Sequence, residues 1–223
     1  PESMTEIGKS AFYGCSNINK LTLPGAVVNT SNIRDIFGND NNIREIYVTN
    51  CDSLKNMAFA YLDSLEKITI EGSLLSLPSY AFQNDEKLTS VNLPDTLTEI
   101  ESSAFTNCLS LEHISLPNNL KTLGYYAFDN CPKLTQLVIP DSVESYSNLS
   151  DSITELTVPF VIEESTGTMY GFRYPAQLKK LIVTKQEEFG GHSIEELLNL
   201  EYLELQNAKT ISSYAITDCP SLT

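Results

Sequence analysis

A fourteen-residue pattern recurs along most of this chain at an almost constant spacing. Its clearest copies begin at Ala81-Phe82, Ala104-Phe105 and Ala127-Phe128, so consecutive phenylalanines are 23 residues apart. Each copy continues through a Cys or Asp and a Leu to a short alternating apolar segment that ends in proline. The same phenylalanine position is occupied elsewhere by Phe12, Phe37, Phe59, Phe172, Ile194 and Ile216. A fixed period of roughly 20–29 residues indicates stacked structural repeats, so the chain is predicted to form a solenoid.

The last part of each repeat has the alternation of apolar residues that is typical of a short strand. Nine such segments are present, at residues 21–23, 46–48, 68–70, 91–93, 114–116, 137–139, 156–158, 181–183 and 203–205. Strands that are one repeat apart can stack only in parallel. Proline follows five of the nine segments, and it ends the hydrogen-bonded ladder there because it has no N–H group.

The rest of each repeat brings the chain back to the next strand. An extended segment comes first, and a Ser-x-Ala-Phe-x-x-Cys segment then makes one 3₁₀ or helical turn whose Phe enters the interior. We expect Asn84, Asn107 and Asn130 to cap these turns through side-chain bonds to the backbone. The predicted interior includes Phe12, Phe59, Phe82, Phe105 and Phe128.

The predicted fold is therefore α/β, a single right-handed leucine-rich repeat solenoid over residues 1–223 with about nine repeats of about 23 residues. Parallel strands lie on one face, with short extended, 3₁₀ or helical turns opposite. Three steps depart from the regular spacing. The step from residue 21 to 46 is 25 residues, the step from 137 to 156 is 19 and lacks the Ala-Phe turn, and the next step, to residue 181, is 25. Both ends interrupt the repeat pattern, so we expect the chain to be an excised part of a longer array.

Composition narrows the range of partners. The net charge of −15 argues against nucleic acid and anionic membranes, since both are bound through Lys and Arg. No apolar run approaches the ~18 residues of a membrane helix, so no membrane insertion by this segment is expected. Four of the five cysteines share one position in the repeat, where a free thiol packs as a small apolar group: Cys15, Cys108, Cys131 and Cys219.

Residues that could support catalysis are few and scattered. His113 is predicted on the strand face beside Ser90 and Gln136 of the neighbouring repeats, and His192 lies in the turn Gly190-Gly191-His192-Ser193. There is no C-x-x-C motif, and two histidines give little basis for a zinc site. We therefore predict that the chain is not an enzyme and has no catalytic, cofactor-binding or metal site.

The string Pro-x-x-Leu-x-x-Ile-x-x-x-Ala-Phe-x-x-Cys-x-x-Leu-x-x-Ile-x-Leu-Pro closely resembles the BspA-like leucine-rich repeats. Proteins of that family occur on the surface of anaerobic gut and oral bacteria and in some mucosal protist parasites. The resemblance implies an extracellular or surface-anchored array, which in some members is an adhesin for host matrix proteins or other cells. It assigns no catalytic residue to this sequence.

These observations predict a non-enzymatic cell-surface or secreted protein that mediates protein–protein or cell adhesion through its solenoid surface. Its macromolecular partner would be a host extracellular or cell-surface protein. The alternatives are a structural spacer or stalk segment, and a carbohydrate-binding or carbohydrate-active module. An exposed aromatic or apolar patch favours binding, and a uniformly polar face favours the spacer. Since Tyr side chains near the irregular unit suit an interface, ligand contact is predicted at Tyr170, Tyr174, Ile182 and Tyr202.

Overall fold

The structure is a computed structural model that describes residues 2–38, 42–161 and 174–223. These residues contain two short helices, α1 (Gly25–Thr30) and α2 (Ile33–Phe37), and fifteen strands. The strands are β1 (Lys20–Pro24), β2 (Glu45–Cys51), β3 (Lys67–Gly72), β4 (Ser76–Leu77), β5 (Ser90–Asn92), β6 (Glu99–Ile100), β7 (Thr122–Leu123), β8 (Gln136–Val138), β9 (Glu155–Val158), β10 (Lys180–Val183), β11 (Glu188–Phe189), β12 (Ile194–Glu195), β13 (Tyr202–Leu205), β14 (Thr210–Ile211) and β15 (Ile216–Thr217).

All the strand pairs are parallel, which confirms the predicted parallel solenoid. The longer strands form two sheets on one side, in the orders β1-β2-β3-β5 and β8-β9-β10-β13, and shorter sheets lie elsewhere around the coil. Leu21 is paired with Ile46, and Ile46 with Ile68, which is the register that the repeat predicts. The helical part of the expected α/β fold is small in the described residues, and the right hand of the coil stays a prediction.

The side with the longer strands has eight strands in the described residues, where the sequence predicted nine. Residues 114–116 belong to no strand, although Leu116 is buried as expected. Proline follows this segment and its two neighbours: Pro94, Pro117 and Pro140. The neighbouring strands β5 and β8 have three residues each, whereas β2 and β3, which no proline follows, have seven and six. The prediction of a ninth strand was wrong, because proline cannot donate to the ladder.

The Ala-Phe turns share one backbone conformation, with two left-handed residues four positions apart. In one of them Ser103 has a φ of 57° and Asn107 a φ of 64°. The pattern recurs at Tyr80 and Asn84, Tyr126 and Asn130, His192 and Glu196, and Tyr214 and Asp218. The turns also pair with one another, since the Phe82 N–H donates to the Ala104 carbonyl at 2.8 Å. Backbone hydrogen bonds therefore join successive repeats on this side as well.

Four phenylalanine rings form a continuous stack inside the solenoid, the phenylalanine stack: Phe59, Phe82, Phe105 and Phe128. Their centroids are 5.3, 5.1 and 5.2 Å apart in that order, and all four side chains are fully buried. Near-parallel rings at this spacing are favourable when they are offset. The prediction that these four residues fill the core is confirmed.

Phe12 was also predicted in the interior, and that prediction was wrong. Its side chain is 37% exposed, although it stacks on Phe37 with a centroid distance of 5.1 Å. Phe12 lies in the first described turn, so a ring covers it on one side only. Phe172, assigned to the same position of the repeat, lies outside the described residues.

In the middle repeats the position three residues after the Phe is buried, and different residues fill it differently. The Cys108 and Cys131 thiols donate to the carbonyls of Phe82 and Phe105, both at 3.2 Å. Burial raises the pKa of the Cys131 thiol to about 12, so it stays protonated. All five cysteines are free, and Cys15 is exposed.

Asp85 occupies this same position and is fully buried. Its Oδ1 accepts the Leu62 N–H at 2.8 Å, while its Oδ2 has no hydrogen-bond partner among the described residues. Burial, which disfavours the charged form, raises the pKa of the Asp85 carboxyl well above its ordinary value. At this buried position of the repeat, Asp85 therefore carries a carboxyl where Cys108 and Cys131 carry a thiol.

The asparagines of the turns bond to each other and not, as predicted, to the backbone. Asn107 Nδ2 donates to Asn84 Oδ1 at 2.6 Å, and Asn130 Nδ2 donates to Asn107 Oδ1 at 2.7 Å. The left-handed backbone directs all three side chains along the solenoid, where each meets its equivalent one repeat away. The asparagine ladder forms only when repeats stack, because each of its hydrogen bonds joins two neighbouring repeats. The sequence of a single repeat therefore does not predict it.

Candidate functional site

The outward side chains of the longer strands form two surfaces, one on each four-stranded sheet. We call them the N-terminal strand face (β1, β2, β3 and β5) and the C-terminal strand face (β8, β9, β10 and β13). In β2 the alternation is clear, because Ile46 and Val48 are buried while Tyr47 between them is exposed. Adjacent strands lie about 4.8 Å apart, so outward side chains in register can contact each other across the sheet.

Polar groups of the N-terminal strand face pair with one another. Lys20 Nζ lies 2.7 Å from Glu45 Oε2, and this hydrogen bond lowers the pKa of Glu45. Asn92 Nδ2 donates to Thr69 Oγ1 at 3.2 Å. Tyr47 is hydrogen-bonded to Glu71, which raises the pKa of its phenol. The surface is polar and largely satisfied by its own contacts.

The C-terminal strand face instead presents apolar side chains to solvent. Val138, Thr157 and Ile182 lie in one row across β8, β9 and β10, joined by the strand register. Val138 is 63% exposed and Ile182 is half-buried. Two β-branched apolar side chains thus flank a threonine methyl on an open sheet surface.

Tyr202 adds an aromatic ring to this surface from β13. It lies opposite Lys180 in the strand register and is 47% exposed, and the Lys180 Nζ is 5.4 Å from its ring centroid. The Tyr202 hydroxyl donates to Glu204 Oε2 at 2.8 Å, which raises the pKa of the phenol. Since Ile182 pairs with Glu204, Tyr202 is its diagonal neighbour. The structure therefore brings together two of the four predicted contact residues.

The other two predicted contact residues do not join this surface in the described structure. Tyr170 lies outside the described residues. Tyr174 is half-buried and packs against the core, with its hydroxyl buried. Its position in the repeat is that of the ladder asparagines, on the turn side, and it is close enough to Tyr146 to help burial raise the pKa of that phenol.

A cleft of about 410 Å³ lies on another side of the solenoid, beside the short strands β6 and β7. We call it the Gly124 cleft, because Gly124 lies at its centre, between Glu101 and Ser147 of the adjacent repeats. A Cβ atom on residue 124 would lie 2.6 Å from the Glu101 carbonyl carbon, so only glycine fits there. Tyr125 lines one edge of the cleft and is 51% exposed.

The carboxylate of Glu101 is held in place by two serines. Its Oε1 accepts the Ser76 hydroxyl at 3.1 Å, and its Oε2 accepts the Ser79 N–H at 3.0 Å and the Ser79 hydroxyl at 2.9 Å. On the other side of Gly124, Ser147 Oγ is buried without a hydrogen-bond partner in the described part of the chain. The cleft therefore contains one satisfied carboxylate and one unsatisfied hydroxyl.

Sequence reasoning missed this cleft, although a signal was present. The position of Gly124 holds Pro78, Glu101 and Ser147 in the neighbouring repeats, so glycine there removes a side chain from an otherwise filled column. The pair Tyr125-Tyr126 follows directly. The shortened next repeat, which lacks an Ala-Phe turn, is a second irregularity at this corner of the solenoid.

His192 lies in an exposed turn, where its imidazole contacts a carboxylate and an aromatic ring. His192 Nδ1 is 2.7 Å from Glu195 Oε2, and the imidazole stacks on Tyr214 with centroids 6.4 Å apart. The neighbouring Ser193 hydroxyl donates to the Gly190 carbonyl at 2.9 Å. Because the imidazole is largely exposed and the serine is directed to the backbone, this arrangement serves the turn.

The described residues contain neither a cluster of metal-ligating side chains nor a membrane-spanning helix. Within 2–38, 42–161 and 174–223, no three His, Cys, Asp or Glu side chains are grouped so that they could hold a metal ion. In that part of the chain, no helix combines the length and the apolar composition needed to cross a bilayer.

Comparison with known families now identifies the class of protein. The BspA type leucine rich repeat region, a family model with six copies of the repeat, matches residues 1–89, 52–164 and 76–223. The matches together span the whole sequence, so this chain belongs to the BspA-type leucine-rich repeat family. No protein of curated function matches it significantly.

Solved structures of bacterial leucine-rich repeat proteins are similar to this chain. A protein from T. pallidum is 20% identical with a TM-score of 0.50, over 92% of this chain and 78% of its own. One from Bacteroides ovatus is 23% identical with a TM-score of 0.48, over 98% and 69%. One from Eubacterium ventriosum is 18% identical with a TM-score of 0.48, over 98% and 75%. The similarity to the T. pallidum protein supports the fold and says nothing of function.

Proposed function

We propose that this chain is a non-enzymatic array that binds a macromolecular partner, through the C-terminal strand face, at the cell surface or after secretion. The observation that carries the proposal is the juxtaposition of Val138, Thr157, Ile182 and Tyr202 on four adjacent strands. Exposed apolar and aromatic groups in one patch are suited to protein contact. Solenoids commonly bind through such extended faces.

The polar surroundings of this patch favour a protein partner with mixed charge at the contact. Lys180 and Glu204 lie beside Tyr202 and can pair with opposite charges on the partner. The net charge of −15 favours a basic partner through long-range attraction. A host extracellular or cell-surface protein is the partner that the family resemblance suggests, with adhesion as the outcome.

Of the four predicted contact residues, Ile182 and Tyr202 form the centre of the proposed contact. Tyr170 and Tyr174 stay part of the proposal as a second contact. A partner that reaches Tyr174 has to extend from the strand face to the turn side of the solenoid. This makes the two pairs separable by mutation.

The N-terminal strand face favours a second candidate function, that of a structural spacer. The N-terminal strand face satisfies its own polar groups through the Lys20–Glu45 and Asn92–Thr69 contacts. Such a surface is what a structural spacer or stalk needs, since it offers a partner little to bind. A spacer is therefore the second candidate function, and it predicts that both strand faces are inert.

The experiment compares matched substitutions on the two faces. The double variant Ile182→Thr and Tyr202→Thr keeps β-branched residues in the strands while it removes the patch, and Tyr47→Thr is the control on the N-terminal face. Immobilised arrays are tested by surface plasmon resonance against purified matrix proteins and by adhesion to mucosal epithelial cells. We expect the double variant to bind at least about tenfold more weakly than the wild type, and the control to bind unchanged.

Two outcomes would overturn the proposal. If no matrix protein and no cell type is bound by the wild-type array, the spacer is the better function. If binding occurs but the double variant and the Tyr47→Thr control lose it equally, the contact lies elsewhere. Circular dichroism and thermal unfolding of each variant show that the fold is retained.

A further inference from the structure

The Gly124 cleft is built by three consecutive repeats and is remote from the strand faces. Its walls come from β6, β7 and the isolated bridge that joins Thr122 to Ser145. At Gly124 the backbones of two repeats approach closely, because a Cβ atom at that position would lie 2.6 Å from backbone atoms of Glu101 and Ser102. The next repeat lacks an Ala-Phe turn, so nothing equivalent to Tyr125 follows in register. The cleft therefore occurs where the regular column of side chains is interrupted.

The lining of the cleft is rich in hydroxyl groups. Five serine or threonine hydroxyls line it, from Ser79, Ser102, Thr122, Ser145 and Ser147. Each hydroxyl can donate one hydrogen bond and accept others, which matches a ligand whose surface also carries alternating donors and acceptors. None of the lining residues is a lysine, arginine or histidine.

Two carboxylates in the lining, those of Glu99 and Glu101, determine which ligand charge the cleft favours. Glu101 accepts three hydrogen bonds from Ser76 and Ser79, so much of its acceptor capacity is already used within the protein. Glu99 is exposed at the mouth. Two negative charges without a cationic side chain repel anionic ligands. A cationic ligand would have to replace the hydrogen bonds that the Glu101 carboxylate already accepts. A neutral ligand with hydrogen-bond donors fits the cleft without breaking them.

One lining residue does not offer its hydroxyl to a ligand. Ser147 Oγ is shielded from solvent and has no hydrogen-bond partner among the described residues. An atom that water cannot touch is also out of reach of a ligand hydroxyl. Contact with a ligand therefore falls to the accessible lining hydroxyls, of which Ser145 is exposed.

Tyr125 supplies the aromatic surface that such a ligand needs. Its side chain is 51% exposed at the edge of the cleft. An exposed phenol ring can pack against the apolar C–H face of a pyranose while the sugar hydroxyls turn to polar groups. A volume of about 410 Å³ is within the range of small-ligand sites, roughly 300–1,000 Å³.

We propose that the Gly124 cleft is a binding site for a neutral saccharide. The sugar ring packs on Tyr125, its hydroxyls bond to Ser145 and the other accessible lining hydroxyls, and the two glutamates exclude acidic sugars. This site is separate from the proposed protein contact on the C-terminal strand face. An array with both could hold a glycoprotein through its polypeptide and its glycan at once.

The test is titration calorimetry of the purified array with a panel of neutral oligosaccharides based on glucose, galactose and mannose, and with hyaluronan and sialyllactose as acidic probes. We expect at least one neutral oligosaccharide to bind in the roughly micromolar to millimolar range, and the acidic probes to bind about tenfold more weakly or not at all. Oligolysine is included as a cationic peptide probe.

Three variants locate the site. Tyr125→Ala should weaken binding about tenfold, and Ser145→Ala, which removes an exposed lining hydroxyl, about three- to tenfold. Tyr13→Ala is the matched control, since Tyr13 is an exposed tyrosine of a distant turn, and it should bind as the wild type does. Thermal unfolding of each variant verifies that loss of binding is not loss of structure.

The proposal is overturned if no neutral member of the panel binds at saturating concentration. It is also overturned if acidic probes bind as tightly as neutral ones, or if Tyr125→Ala and Tyr13→Ala behave alike. Binding of oligolysine that depends on Tyr125, in the absence of saccharide binding, would reassign the cleft to a basic peptide. None of these results depends on whether the strand face binds a protein.

Discussion

Two groups of turns occupy the same position in the repeat and are built differently. The middle group, centred on Phe82, Phe105 and Phe128, combines stacked rings, an asparagine ladder and thiol hydrogen bonds. The C-terminal group, centred on Ile194 and Ile216, has no aromatic ring at the central position and pairs through β12 and β15. Both groups nevertheless place left-handed residues at the same two positions of the turn.

The difference shows what the turn requires and what merely strengthens it. The backbone path, with its two left-handed residues and its hydrogen bonds to the next repeat, is common to both groups. The side-chain ladders exist only where consecutive repeats carry the same residue. Phe189, buried in β11, contributes an interior ring to the C-terminal group from a different part of the repeat. The interior is thus filled from the turn itself in the middle group and from strand β11 in the C-terminal group, although the turns have the same backbone conformation.

The largest expected effect is on the phenylalanine stack. Phe105→Ala should lower the free energy of unfolding by about 3–5 kcal/mol, because it leaves a cavity and breaks two ring contacts. Ile216→Ala, at the equivalent position of the C-terminal group, should cost about 1–2 kcal/mol, since Ile216 is only half-buried. Urea unfolding followed by circular dichroism measures both. Equal losses would show that the two groups of turns are energetically alike.

The next effect concerns Asp85, the buried carboxyl at the thiol position. Asp85→Cys should raise the free energy of unfolding near neutral pH by about 1–3 kcal/mol, since it removes an unsatisfied buried oxygen. The new thiol matches Cys108 and Cys131, whose sulfurs donate to the Phe82 and Phe105 carbonyls. Urea unfolding at several pH values tests this prediction.

The pH dependence has a definite sign. Above the ordinary aspartate pKa the unfolded chain ionises, while burial keeps folded Asp85 protonated because its pKa is raised. The wild type therefore loses stability as the pH rises from that ordinary value towards the raised one, by up to about 1.4 kcal/mol per pH unit. The advantage of Asp85→Cys should grow over this interval. Glu86→Gln, at an exposed neighbouring position, is the control, and a pH-independent advantage would contradict the assignment.

A smaller effect is expected from the asparagine ladder. Asn107→Gly keeps a residue that tolerates a φ of 64° and removes two side-chain hydrogen bonds, so it should cost about 1–2 kcal/mol. Asp218→Gly makes the same backbone change in the C-terminal group, where the ladder is absent from the described contacts, and should leave the stability nearly unchanged. Thermal unfolding compares the two variants. If both variants are equally destabilised, the side-chain hydrogen bonds of the ladder contribute nothing to stability.

The smallest effect is expected at the exposed pair in the C-terminal group. His192→Asn keeps a residue that accepts the left-handed conformation and removes the contact with Glu195. Exposed ion pairs contribute little to stability, so no resolvable change in the unfolding midpoint is expected. A clear loss would mean that stacking of His192 on Tyr214 holds this turn together.

Much of the fold was predictable because the repeat places equivalent residues in register. The pairing of Leu21, Ile46 and Ile68 and the burial of Phe59 and Phe105 follow from counting along the sequence. The strand expected at residues 114–116 is absent because prolines follow three adjacent segments and shorten the ladder on both sides of it. Phe12 failed because burial needs a neighbour on both sides, which a repeat position alone does not guarantee.

The candidate sites divide in the same way. That Ile182 and Tyr202 are diagonal neighbours follows from the strand register, so sequence reasoning could place them together. The turn-side position of Tyr174, beside Tyr146, depends on how the lengthened unit packs. The Gly124 cleft lies beside a close backbone approach in one repeat and a shortened turn in the next, which pattern counting treats as mere irregularities.

By itself, the sequence determined the parallel solenoid, its register and its interior, because a fixed period brings like residues to the same place in every turn. Only the tertiary structure decided the partial exposure of Phe12, the burial of the Asp85 carboxyl and the position of the cleft at Gly124. These features arise between repeats that differ. Their contacts join residues of neighbouring turns, and the distance between those residues is set by the packing of the whole stack.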